Sequence, residues 1–132
     1  MREILFRGKT EKEKWVYGDL LHPDLFGNGY AIDDFSIPKD NCFDVNPETI
    51  GQYTGLTDKN GKKVFEGDIV AFTDITGVIN FIEGCFCVKT NKPDWRSRNN
   101  PAIDIVYNEY ENEVEIIGNI HDNPELLKGG EG

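Results

Sequence analysis

The sequence predicts a mainly β protein built on a small barrel or sandwich, and three observations lead there. The stretch Ile50 to Phe72 carries two turn signals, Asp58-Lys59-Asn60-Gly61 and Glu66-Gly67-Asp68, each followed by apolar residues. The N-terminal residues alternate, with Ile4 and Phe6 against Leu5 and Arg7, then Trp15 and Tyr17 against Val16 and Leu20. The longest apolar runs, Ile69 to Phe72 and Cys85 to Val88, are four residues each, short enough for strands and too short for a membrane span.

Each element follows from local chemistry. Phe6 and its neighbours, with Trp15 to Leu20, read as an antiparallel hairpin across the polar residues Thr10 to Glu13. From Leu21 to Pro47 the chain is broken by Pro23, Gly27, Gly29, Pro38 and Pro47, and Tyr30 to Ile32 and Phe43 to Val45 add short strands. Residues 1–49 therefore form a β-rich extension that packs on the rest of a single domain, 1–132. The central meander takes strands from Gly51 to Leu56, Lys62 to Phe65 and Ile69 to Phe72. Asn60-Gly61 supplies the positive φ of a tight turn, Gly67 turns the chain again, and Asp68 accepts a backbone hydrogen bond. Gly77 to Phe81 and Cys85 to Val88 follow as strands. Both carry apolar residues on both faces, so something must cover the sheet from outside, and the N-terminal hairpin is the expected cover. Ile103 to Tyr107 and Val114 to Ile117 read as a further hairpin. Asp122 to Gly129, with Asn123 as cap, Pro124 at the first position and Gly129 as stop, reads as a short C-terminal helix.

With 132 residues the chain fits one domain with a sizeable core. Fourteen basic against 24 acidic residues give a net charge of −10, which favours solubility and opposes broad contact with phosphate backbones. The start Met1-Arg2-Glu3 runs straight into a strand-like pattern, and a cytoplasmic location is the default expectation. Three cysteines, Cys42, Cys85 and Cys87, cannot all pair within one chain. Reduced thiols fit that count and location.

Several runs also carry a family resemblance. Ile50-Gly51-Gln52-Tyr53-Thr54-Gly55-Leu56, Asp58 to Lys62 and Glu66 to Val70 are joined by Phe6-Arg7-Gly8-Lys9 and Trp15-Val16-Tyr17-Gly18-Asp19 near the start. Ile117-Gly118-Asn119-Ile120-His121 and Asn123-Pro124-Glu125-Leu126-Leu127 complete the set near the end. In this order they resemble the YopX family of bacteriophage and prophage proteins. The resemblance implies an SH3-like small β-barrel in a phage accessory protein of the bacterial host cell. It brings no catalytic residues with it.

Candidate sites weigh against plainer readings. A metal centre from Cys42, Cys85, Cys87, His22 and His121 lacks every usual ligand spacing, so no metal is assigned. An EF-hand from Asp58 would need Gly at residue 63 and a carboxylate at residue 69, where Lys63 and Ile69 stand. Glu109, Glu111, Glu113 and Glu115 share one parity and read as a solvated strand face. Asp33-Asp34 and Glu66/Asp68 have nothing to place them in a cleft. No nucleophile elbow, phosphate loop or H-E-x-x-H pair occurs, so neither an enzyme nor a cofactor is expected. The residues with ligand chemistry are Lys89, Lys92, Trp95, Arg96 and Arg98, a basic loop around an aromatic that could stack on a base. An ordinary loop anchored by Trp95 is the favoured reading of them. The expected function is a non-catalytic protein-interaction module, forming homo-oligomers, with nucleic-acid binding through the Lys89 to Arg98 loop as the alternative. Asn60, Gly61, Gly67 and Asp68 are assigned as structural turns.

Overall fold

Period-two alternation fixes most of the architecture, because successive side chains of a strand leave on opposite faces. The computed structural model describes residues 4–23, 29–34, 42–82, 84–90, 102–110 and 112–126. The chain divides into two compact units, residues 1–55 and 56–132. Among the described residues the strands form two antiparallel sheets, neither closed into a barrel, and the protein is mainly β.

In the first unit β1 (Phe6–Lys9), β2 (Trp15–Leu21), β3 (Ala31–Asp33), β4 (Cys42–Asp44) and β5 (Gly51–Thr57), whose last residues pass into the second unit, follow in sequence. They lie side by side in the order β4-β3-β2-β1-β5. Val16, Ile32 and Val45 are buried together, with Phe6, Leu20, Tyr30, Phe43 and Ile50 packed around them. The inward positions Phe6, Val16 and Leu20 share one parity, which is the alternation seen in the sequence. A turn of 3-10 helix at Pro47–Thr49 leads into β5, with the Asn46 side chain accepting from the Glu48 N–H at 3.0 Å.

The second unit contains β6 (Lys63–Phe65), β7 (Asp68–Phe72), β8 (Ile75–Ile82), β9 (Cys85–Thr90), the helix α1 (Ile103–Tyr110) and β10 (Glu115–Asn119). β10, β7, β8 and β9 form a sheet in that order, with β10 returning beside β7. Val70, Phe72, Ile75, Ile79, Phe86, Val88, Ile103, Val106 and Val114 bury one core with Val64.

The expected strand over Ile103 to Tyr107 is instead the start of α1. Ile103, Val106, Tyr107 and Tyr110 stand at i, i+3, i+4 and i+7, a helical stripe, and all four pack on the core. That helix adds its own apolar cover to the second unit. It also removes a strand that could have continued the sheet. The single-parity row of glutamates does not form one strand face, for the same reason: Glu109 lies in α1, Glu113 in a turn and Glu115 on β10. At the C-terminal end, the Leu126 N–H meets the Asn123 carbonyl at 3.0 Å, closing one turn; the rest of the expected helix lies outside the described residues. Asn123 turns its side-chain oxygen back to the Asn119 N–H, at 3.2 Å.

The turn after β5 is held by one carboxylate. Asp58 Oδ1 accepts from the N–H groups of Asn60 and Lys62, both at 2.9 Å, and Oδ2 accepts from the Ile116 N–H at 3.0 Å. The backbone of Lys59 donates to the Val114 carbonyl at 2.8 Å. Gly61 sits in this turn at φ 83°, and Gly67 at φ 93° in the next. Asp68, also buried, accepts from the Phe65 N–H at 2.7 Å.

Burial by itself would raise the Asp58 carboxyl, but hydrogen bonds from Ile116, Lys62 and Asn60 outweigh it and hold it below its ordinary value. A depressed carboxylate contributes stability that is full above its unfolded value and lost as pH falls through its folded one. In Asp58→Asn an amide donor replaces Oδ2 and faces the Ile116 N–H. That substitution is expected to cost about 1–3 kcal/mol, the penalty for a buried donor left unmatched. It should also flatten the fall in thermal midpoint of the wild type at acid pH. Melting curves taken at neutral pH and below the ordinary aspartate range check both effects.

Candidate interaction surface

The outward face of the first sheet can be read residue by residue from its register. Arg7 stands opposite Tyr17 and Lys9 opposite Trp15; Asp19 stands opposite Asp33 and Leu21 opposite Ala31. Ala31 in turn faces Asp44, and Asp33 faces Cys42. Because directly opposed residues share a face, one side of β1 to β4 carries Arg7, Lys9, Trp15, Tyr17, Asp19, Leu21, Asp33, Cys42 and Asp44.

This face is polarised along its length. At one end the Arg7 guanidinium carbon lies 4.6 Å from the Trp15 ring centroid and the Lys9 Nζ 5.6 Å from it. Cations stacked on an indole face are held by its negative quadrupole. Arg7 is buried there, so its charge is not offered broadly to solvent. At the other end Asp19, Asp33 and Asp44 lie on three adjacent strands. On β2, to either side of Asp19, Tyr17 is 42% and Leu21 43% exposed. Asp19 and Asp33 oppose like charges directly across the ladder, an arrangement that costs stability. Asp33 Oδ1 is buried and has no hydrogen-bond partner among the described residues. Apolar side chains exposed among carboxylates, one of them unsatisfied, suit a partner that brings cations and apolar groups together.

Of the residues picked out in the sequence, Cys42 and Asp33 lie on this face. Lys89 is exposed on β9, while Lys92, Trp95, Arg96 and Arg98 lie outside the described residues. Cys42 is exposed on β4, Cys85 exposed and Cys87 buried on β9, and none of the three is in a disulfide. Among the described residues no three His, Cys, Asp or Glu side chains converge as a metal site would require. His22 packs against Tyr30, with ring centroids 5.7 Å apart. The His121 N–H donates to Asn119 Oδ1 at 3.0 Å. Asn60 and Gly61 occupy the Asp58 turn and Gly67 and Asp68 the next, as described above. Sequence reasoning did not single out Tyr17, Asp19, Leu21, Asp33 and Asp44 as a group. The available signal was the single parity of Tyr17, Asp19 and Leu21 on one strand; the partners on β3 and β4 depend on register.

The family model described as YopX protein matches residues 5–128. The chain belongs to the YopX family. Among solved structures it is similar to protein EF1440 from Enterococcus faecalis, at 23% sequence identity and a TM-score of 0.54, covering 96% of this chain and 99% of that one. At that identity the likeness speaks for the fold alone. No curated protein matches. No helix among the described residues is long and apolar enough to cross a membrane.

The two faces of the sheet should answer differently to substitution. Leu21→Ser, on the exposed face, is expected to change stability by no more than about 0.5 kcal/mol. Ile32→Ala, at a fully buried position beneath it, should cost about 2–5 kcal/mol. Denaturant unfolding of both variants checks the assignment.

Proposed function

We propose that this YopX-family protein is a non-catalytic accessory protein of a phage or prophage, acting in the bacterial cytoplasm by binding another protein. The observation that carries the reading is the β2–β4 face, where exposed Tyr17 and Leu21 lie among Asp19, Asp33 and Asp44. Exposed apolar groups rimmed by charge are what an interaction surface presents. Its acidity, with the net charge of −10, favours a basic partner and repels polyanions. The return of β10 beside β7 after the β7-β8-β9 meander supports treating the second unit as an open relative of SH3-like barrels. There Phe81, 47% exposed, and Ile82 offer apolar surface on which copies of the chain could associate.

The test is affinity capture from phage-infected cells with the wild-type chain and an Asp19→Lys, Asp44→Lys chain as baits. The wild type is expected to retain a protein that is lost at raised salt and absent from the charge-reversed bait. Identical capture by both baits would contradict the reading. So would retention of the wild type on heparin, because that would show phosphate-type contacts instead.

A further inference from the structure

The acidic face ends at a strand edge. Among the described residues β4 is the last strand of its sheet, three residues long, with β3 on its inner side. The Val45 N–H donates to the Tyr30 carbonyl at 3.1 Å. Residues 30 and 45 are therefore a hydrogen-bonded pair of the antiparallel ladder. Alternation along the ladder makes Ile32 and Phe43 the next such pair. The backbone N–H and C=O groups of Cys42 and Asp44 then point away from β3, and among the described residues no hydrogen bond reaches them there. The Cys42 and Asp44 side chains stand exposed on the acidic face, and half-buried Phe43 faces the core side.

An unpaired strand edge beside a row of carboxylates is a template for another strand. We propose that an extended, basic segment of a partner protein adds to β4 as an antiparallel strand. This deepens the protein-binding reading above and rests on it. In an antiparallel addition, the residues directly opposite Cys42 and Asp44 exchange both backbone hydrogen bonds with them and share their face. Those positions of the partner lie beside Asp44 and, across Cys42, in line with Asp33, and the long side chain of lysine or arginine there would reach the carboxylates. Alternate positions turn to the Phe43 side and suit apolar residues. The chemistry therefore specifies an alternating basic–apolar segment. It also specifies that the hydrogen-bonding nitrogens belong to the basic residues.

A short peptide of alternating lysine and valine serves as the probe, titrated against the full chain at low salt. Two analogues of equal charge accompany it, one methylated on the backbone nitrogens of the lysines and the other on those of the valines. The parent and the valine-methylated peptide are expected to bind, and the lysine-methylated one to bind at least about tenfold more weakly, having lost its backbone donors. Asp44→Lys, at an exposed position, should weaken the parent peptide about fivefold or more through like-charge opposition. Its thermal midpoint should match the wild type. Equal binding of the parent and lysine-methylated peptides would overturn strand addition. No binding of any peptide would overturn it too. Either result leaves the protein-binding reading to be judged by the bait capture, which does not depend on backbone pairing.

Discussion

The first unit depends on the absence of a side chain at Gly18. A Cβ built there would lie 1.9 Å from the Asp33 carbonyl oxygen and 2.7 Å from its carbonyl carbon. Both are backbone atoms, with no flexible end to swing aside. Only glycine lets the end of β3 close over β2 in this way. Gly8 plays a milder part in β1, where a Cβ would come within 3.0 Å of the Val45 side chain. These approaches seat Ile32 and Val45 on Val16, and through the β3 register they bring Asp33 opposite Asp19. The acidic face is thus a consequence of tight packing on the other side of the same strands.

In the second unit the comparable role falls to Asp58. A single buried carboxylate serves three N–H groups, two from its own turn and one from β10, some sixty residues further along the chain. The Lys59–Glu115 ion pair beside it, at 3.4 Å with both side chains about four-tenths exposed, adds little. The Ile116 bond satisfies a donor on the outer side of β10, so it also occupies part of a strand edge that would otherwise be open to pairing. β4 has no such side chain across its outward groups among the described residues. The two edges differ in kind, and that contrast is why strand addition is proposed at β4.

Much of this was legible in the sequence because strand parity is a local property. The alternation through Trp15, Val16, Tyr17 and Leu20 marked which residues go inward before any register was known. The turn at Asn60-Gly61 was legible because its chemistry lies in adjacent residues. The helix α1 was misread because Ile103-Asp104-Ile105 satisfies a period of two, while the wider spacing of Ile103, Val106, Tyr107 and Tyr110 satisfies the helical period over more residues. Asp58 read as a turn former, and its bond to Ile116 was invisible because nothing local announces a contact at that separation. The acidic face was illegible for a related reason. Asp19, Asp33 and Asp44 become neighbours only through the register of three strands joined by irregular connections.

The functional account follows from this packing, since a face binds as a unit only if the strands beneath it are held in register. Shape comes from Gly18 and the small core of Val16, Ile32 and Val45, and charge comes from the carboxylates that register places together. Amide hydrogen exchange on a Gly18→Ala chain addresses the central constraint most directly. If the close approach of β3 to Gly18 fixes the register, the β2–β3 and β3–β4 ladder amides should lose their protection while those of β7 and β8 keep theirs. Undiminished protection across β3 and β4 in Gly18→Ala would contradict the account.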